Sequence, residues 1–456
     1  MVNDGRYDPE AVRRLLARTL ASVRGGDAEA VYMARDFGLT RFANSQIHQN
    51  VVEHDATLRV RLTDDGRTGV ASTNRLDDEG LRDVLGRAQA IRDRAARNPD
   101  GAPMPEGSAT SHASFGSAEA TTAADPSTRA AAARAVIAAS DGADLIASGA
   151  FSTETQTMGV ANTRGVERSE TSTLAKLVTV VMDDGGGSGY SQACSIDVTD
   201  IDGSLVGAEA VDKALRSAGA SDLEPGEYPV VLEGFAIGTV LEYLSFIAFN
   251  ALAVEEGRSF MELGQQVMGP NVDIWDDGCD PTGAPATIDF EGVPKRRVDL
   301  VSRGVAQGLV HDTLTAQRAG TESTGHGLPA PNSWGPMAWN LFMAPGPSSS
   351  GELLAQLDRG IWVTRFHYVN IVHAKKGILT GMTKDGTFLV EGGRIVRPIR
   401  NLRFTQSIPE AFSRVAAIGA ETRLVAAEYS GINARVPALL IDRFAFTGAT
   451  AADGPG

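Results

Sequence analysis

Residues 57–71 read Thr57-Leu58-Arg59-Val60-Arg61-Leu62-Thr63-Asp64-Asp65-Gly66-Arg67-Thr68-Gly69-Val70-Ala71. Leu58, Val60 and Leu62 alternate with Arg59 and Arg61, the period of a half-buried strand. Asp64-Asp65-Gly66 supplies turn residues, and Gly69-Val70-Ala71 returns as the second arm of a hairpin. Upstream, Asp8 caps a helix, Pro9 suits its first turn and Gly25-Gly26 ends it. Val12, Leu15, Leu16, Leu20 and Val23 form its apolar stripe, with Arg13, Arg14 and Arg18 outside. Short strands are expected over 30–34 and 39–42, joined to the hairpin by a turn at Ala43-Asn44-Ser45. Downstream, a second helix is expected over 78–97.

The same order then recurs. Residues 98–124, rich in Pro, Ser, Thr, Ala and Gly, read as a connecting loop. Asp125-Pro126 opens a helix reaching about 140. Strands follow over 145–151, 155–160 and 173–182, a turn over 183–187 and a helix over 205–218. Ala161-Asn162-Thr163 sits where Ala43-Asn44-Ser45 sat, which fits duplication and chance equally. The polar stretch 221–228 is the best domain boundary. Beyond it come a strand over 229–232 and an apolar helical stretch over 235–253, expected to be buried. From 264 onward the pattern is short strands and turns, with helices near 349–360 and 408–418. The fold class is α+β. An N-terminal α/β portion over 1–220 packs helices on sheets, and a mainly antiparallel, barrel-like β domain covers 228–450.

Composition narrows function only by exclusion. The 456 residues hold 57 acidic and 42 basic side chains, a net charge of −15. That balance argues against duplex binding, which Lys and Arg carry. No apolar run is long enough for a membrane span, and the first ten residues do not read as a leader peptide. Cys194 and Cys279 are too few for a disulfide scaffold or a four-thiolate zinc site. A cytoplasmic location is expected. Glycine, 50 of 456, exceeds the usual share of about 7% and points to many tight turns.

Local motifs are sparse. Asp184-Gly185-Gly186-Gly187-Ser188-Gly189 lacks the lysine of a phosphate loop and reads as a hairpin turn. No G-x-S-x-G elbow occurs. Of the seven histidines, His48, His54, His112, His311, His326, His367 and His373, no pair has H-E-x-x-H spacing. His367 and His373 could share a strand face.

Longer strings carry more. Arg41 to Asn50 (RFANSQIHQN) and Gly69 to Asn74 (GVASTN) resemble the N-terminal signature of the TldD/PmbA family. Leu263-Gly264-Gln265-Gln266-Val267 and Asp289-Phe290-Glu291-Gly292-Val293-Pro294 resemble its central segments. Glu322-Ser323-Thr324-Gly325-His326 with Asn332-Ser333-Trp334 is similar to a stretch of the PmbA (TldE) branch. Leu379-Thr380-Gly381 and Phe388 to Gly393 fit the terminal part. These strings run in order over nearly the whole chain.

The resemblance implies a two-part family. TldD-type members are zinc peptidases with an H-E-x-x-x-H helix and a late cysteine, and PmbA-type members lack those ligands and pair with a TldD-type subunit. Here the matching helix is Val240-Leu241-Glu242-Tyr243-Leu244-Ser245-Phe246. The ligand positions fall on Leu241, Phe246 and, near Tyr429-Ser430-Gly431, on Ser430. Glu242 keeps the family's general-base position. Leu and Phe offer no lone pair and a neutral Ser is a poor thiolate substitute, so the resemblance implies no metal in this chain and Zn in a TldD-like partner. Without zinc, Glu242 has no activated water to deprotonate. It is expected to line a groove, as are His326, Asn332 and Trp334, with Arg41, Asn44 and His48 contacting a peptide or a partner chain.

The leading expectation is a non-metallated, TldE-like subunit of a heterodimeric metallopeptidase that cleaves unfolded or leader peptides held as an added strand. The alternatives are a homodimeric peptide-binding scaffold, an accessory subunit in processing a peptide-derived natural product, and an independent enzyme around His367 and His373.

Overall fold

The computed structural model describes residues 7–98, 101–107, 110–113, 115–427 and 430–449, without the side chains of Thr110 and His112. Readings that fall on the first six residues, on His112 and on Tyr429 lie outside the described residues. The N-terminal half runs α1 (Pro9–Ala21), β1 (Asp27–Ala43), β2 (Gln46–Asp64), β3 (Arg67–Thr73) and α2 (Asp78–Arg94). Then come β4 (Thr110–Ala113), α3 (Glu119–Thr122), α4 (Pro126–Asp141), β5 (Ile146–Asn162), β6 (Glu167–Met182), β7 (Ser188–Ser195) and α5 (Gly203–Ser217). Asp8 caps α1 by accepting from the Glu10 N–H. The expected pairs of short strands are single long ones, because backbone pairing runs on through their polar stretches. β1 pairs with β2 along its whole length, and β5 with β6. Asn44 and Ser45, at φ 50° and 54°, make the two-residue turn that suits a right-twisted hairpin.

One sheet results, in the order β3-β2-β1-β5-β6, with β4 and β7 both beside β6. The expected loop over 98–124 therefore carries two short elements, one a strand paired parallel to β6. Each half is helix, three strands, helix, and β1 and β5 meet antiparallel at the centre. Two glycines make the repeat physical. A Cβ on Gly69 would lie 2.0 Å from the Ala88 carbonyl of α2, and one on Gly189 would lie 2.0 Å from the Ala210 carbonyl of α5. In both halves a strand backbone packs directly on a helix backbone. Leu58, Val60 and Leu62 face the helices with Val12, Leu16 and Val84. Arg61, read as outward, is instead 6% exposed and donates to Glu29, its cross-strand partner, at 2.9 Å. The second face is covered in part by the C-terminal half, where Ile288 and Phe290 pack on Val31, Met158, Val160 and Val166.

That half runs β8 (Gly226–Leu232), α6 (Gly234–Ile247), α7 (Ala251–Glu255), β9 (Ile274–Asp276), β10 (Val298–Ser302), β11 (Val305–Ala306), α8 (Thr313–Ala319), β12 (Asn340–Met343) and α9 (Ser350–Ala355). It continues with β13 (Arg359–His373), β14 (Ile378–Glu391), β15 (Arg394–Pro398), β16 (Leu402–Ser407), α10 (Ile408–Phe412), β17 (Val415–Ala426) and β18 (Asn433–Ala449). The strands β18-β16-β14-β13-β8 are paired in succession, and β8 pairs back with β18, closing a five-stranded barrel. The barrel-like expectation holds, with long strands in place of short ones. Phe366, Phe404 and Phe444 fill the interior, with ring centres 4.4–5.8 Å apart. The apolar stretch 235–253 splits at Asn250, whose side chain caps α7. The helix expected over 408–418 stops after one turn at Phe412, and 415–418 already belong to β17. Among the described residues no helix is long and apolar enough to cross a membrane.

Candidate functional site

Three cavities lie along the junction of the two halves. The first, about 400 Å³, is walled by the ends of β5, β6 and β7 on one side and by α6, β13 and β17 on the other. Lys176, Arg365, His367 and Glu242 bring charge or titratable groups to it. The second, about 540 Å³, is lined by Glu242, Tyr243, Phe246, Phe290, Trp339 and Ser430, among others. The third, about 340 Å³, lies between β5–β6 and the segment 284–290, and shares Phe290 and Trp339 with the second. Shared walls link the three into one run past Glu242.

The apolar helix α6 positions Glu242. Nearly every face of α6 is buried, because β13, β17 and β18 surround it. Such a helix reads as apolar all round. Glu242 is its carboxylate, 9% exposed at the mouth of two cavities. Tyr243 beside it donates its hydroxyl to the Val369 carbonyl of β13. Phe246 and Ser430 line the same cavity as Glu242, whereas Leu241 is fully buried in the C-terminal core. Among the described residues no three His, Cys, Asp or Glu side chains converge as metal ligands would.

His326 is wholly buried in the wall of the third cavity. Its Nε2 lies 2.8 Å from Asp276 Oδ1 and its Nδ1 2.9 Å from Thr324 Oγ1. Burial lowers the imidazole pKa against the pull of Asp276. Burial disfavours the Asp276 charge as well, but His326 and Lys295 prevail and hold that carboxyl below its usual range. Both directions give an ionised Asp276 beside a neutral imidazole near pH 7. The ring is thus a buried strut and presents no unbonded nitrogen to a ligand. Asn332 braces its loop by donating to the Gly335 carbonyl and accepting from the Trp334 N–H. The Trp334 ring is 62% exposed and meets Phe246 edge-on at 6.4 Å. Arg41, Asn44 and His48 are on the β1–β2 hairpin and line none of the three cavities. His367 lines the first cavity, while His373 accepts from the Lys376 N–H beyond the two irregularities that follow it in β13.

Sequence reasoning missed Lys176, Arg365 and Glu170. Lys176 Nζ donates to the Ala427 carbonyl. Arg365 pairs with Asp385 and lies over the Tyr190 ring. Glu170 Oε2 accepts both the backbone and the hydroxyl of Thr287. The available signal was parity: Glu170, Ser172, Leu174 and Lys176 share one face of β6. The segment 287–293 wedges against that face. Within it Asp289 accepts from Glu291, Val293 and Gly327 N–H groups. Burial pushes Asp289 up to about 7, and burial plus the neighbouring Asp289 pushes Glu291 up to about 8.

Comparison with known proteins gives three domain matches, two of them within residues 1–220. Residues 28–92 match the PmbA/TldA metallopeptidase domain 1, residues 117–218 its central domain and residues 225–448 its C-terminal domain. Among curated relatives, a metalloprotease TldD homolog of Haemophilus influenzae is 29% identical over 232 residues, covering 49% of this chain and 47% of that protein. A metalloprotease of Methanothermobacter thermautotrophicus is 25% identical over 222 residues, 48% of each. The chain spans about half the length of the curated relatives it matches. Among solved structures, TldE from Thermococcus kodakarensis superposes with a TM-score of 0.84 at 17% identity, covering 96% of this chain and 99% of that one. A candidate modulator of a DNA gyrase from Thermotoga maritima gives 0.81 at 19%, covering 96% and 100%. These two are likenesses of fold. Three domain matches in chain order place the protein by sequence as well: the chain belongs to the PmbA/TldD family.

Proposed function

We propose that this chain is the non-metallated, TldE-like subunit of a TldD/TldE-type metallopeptidase, and that the cleft past Glu242 holds an unfolded peptide while a TldD-like partner supplies the zinc. One observation carries the reading: the donor set around Glu242. Zinc takes imidazole nitrogen, thiolate or carboxylate. Phe246 contributes a hydrocarbon ring to this cavity, Ser430 a neutral hydroxyl, and Leu241 is turned into the core. One carboxylate remains, and that set does not fit a zinc ion. No hydrolytic step is therefore routed through this chain.

The cleft suits an extended ligand. β13 pairs with β8 only over 361–363, and residues 365–370 then line the first cavity with no further strand partner on that side among the described residues. A strand edge beside a groove is a site for strand addition, with main-chain bonds for affinity and pockets for side chains. The test is to purify the chain alone and together with a TldD-type subunit, then count zinc and measure cleavage of an unfolded peptide. We expect no stoichiometric zinc in the chain alone and about one per heterodimer, with peptidase activity only in the latter. Stoichiometric zinc or full activity in the isolated chain would sink the proposal.

A further inference from the structure

The two ends of the cleft differ in chemistry, and the difference assigns a direction to its occupant. This inference rests on the peptide-binding reading above. The end between β5–β6 and segment 284–290 is an apolar chamber of about 340 Å³, walled by Met33, Met158, Leu174, Ile288, Phe290 and Trp339. Two buried acceptors stand in its wall. Glu170 is 7% exposed, and both of its bonds to Thr287 fall on Oε2. Asn433 Oδ1 is buried there without a hydrogen-bond partner among the described residues. Glu154 at the rim is already ion-paired with Arg35 at 2.7 Å, and Lys295, the cation among the described lining residues, is tied to Asn340 Oδ1 at 2.9 Å. An apolar chamber rimmed with acceptors fits a group that has an apolar body and carries donors or positive charge. The opposite end, beyond Glu242, carries Lys176 and Arg365.

We propose that the cleft binds peptides in one orientation. The free amino-terminal residue, bearing an apolar side chain, sits in the Met33–Trp339 chamber with its ammonium at Glu170 and Asn433. The chain then runs past Glu242 toward Lys176 and Arg365. A buried carboxylate gains most from a cation that arrives with several donors. Burial does raise the Glu170 pKa. The occupant is thus a peptide amino terminus, and an internal segment of a longer chain would leave these acceptors unfilled.

The experiment compares three versions of one octapeptide, Leu-Ala-Ser-Gly-Ala-Thr-Ala-Lys with fluorescein on the lysine side chain: amino-free, amino-acetylated and des-amino. Binding to the full-length chain is read by fluorescence anisotropy at pH 7, and again with a TldD-type subunit present. We expect the free peptide to bind at least tenfold more tightly than the other two, and Glu170→Gln to erase most of that difference while the acetylated peptide binds as before. The three-peptide comparison on the unaltered protein stands even if the variant fails to fold. Equal binding of the three peptides, or tighter binding of the acetylated one, overturns the orientation and leaves the peptide-binding reading intact. Absence of binding by any of them, with or without the partner, overturns both.

Discussion

Replacing Glu291 by Gln should make the protein more stable at neutral pH, and by an amount that vanishes in acid. Glu291 is almost wholly buried, its pKa is pushed up to about 8 by burial and by Asp289, and its Oε2 accepts from the Thr313 N–H at 2.9 Å and its hydroxyl at 2.5 Å. The charges facing it are Asp289 on its own segment and the Arg61–Glu29 pair of β1–β2. Between the unfolded value of 4.5 and about 8 the folded chain holds a proton that the unfolded chain has lost. The slope of stability with pH is then negative. This site's contribution is fully present below about 4.5 and is lost as pH rises through about 8. At about 1.4 kcal/mol per pH unit the loss reaches on the order of 3 kcal/mol by pH 7. Gln keeps an acceptor for Thr313 and cannot ionise. Thermal midpoints of both proteins from pH 5 to 8 test this. The two should lie within about 2 °C of each other near pH 5 and diverge by roughly 6 °C or more near pH 7, taking the C-terminal half as a domain of about 200 residues. Parallel curves, or a wild-type protein that gains on the Glu291→Gln variant as pH rises, would mean that Glu291 is ionised in the fold and would refute the reasoning.

Gly189→Ala should cost about 3 kcal/mol or more in urea unfolding, because its Cβ meets the α5 backbone at 2.0 Å. Gly69→Ala should match it in the other half, whereas Gly86→Ala, an α2 position with nothing within 4 Å, should stabilise by up to about 1 kcal/mol. Lys213→Met should cost on the order of 3 kcal/mol, since the Lys213 ammonium, 8% exposed, bridges Glu209 and Glu233 at 2.8 Å each; its loss leaves Glu233 without a cation and with the Trp362 Nε1–H as its partner, while Glu209 keeps Arg423.

Much of the scaffold was legible because one face of each N-terminal strand packs on helices. Leu58, Val60 and Leu62 announce that face by period two, and Asn44, Asp65 and Gly66 announce its turns. Arg61 shows where the same logic fails. Alternation separates two faces but does not say that the second face meets water. Glu29 stands opposite Arg61 in register, and that opposed pair was the signal of a covered second face. The breaks expected within β1 and β5 have a related cause: Arg35 and Glu154 interrupt the apolar pattern because they pair with each other across the two strands at 2.7 Å. Asn250 offered an ordinary capping signal inside an apolar run, and reading it would have split α6 from α7.

The site was legible in part, for a reason that lies in how it is built. Glu242 and Phe246 sit on one helix, so their relation follows from spacing along α6. Ser430 reaches the same cavity from a segment more than 180 residues away, and only the order of motifs along the chain pointed to it. Residues such as Glu170, Lys176 and Arg365 carry no local pattern that distinguishes them from solvated strand charges. Their role arises when β6 is laid against segment 284–290 and β13, which no periodicity encodes. His326 is the converse case. A motif singled it out, yet Asp276 and Thr324 occupy both of its nitrogens. A string held in common with a family marks a position that matters to that family, and here the matter is the packing of segment 287–293 against the sheet. The same packing forms the chamber walls and buries the Asp289–Glu291 carboxyls. Conditions that ionise those carboxyls therefore load the very wall on which the amino-terminal chamber depends.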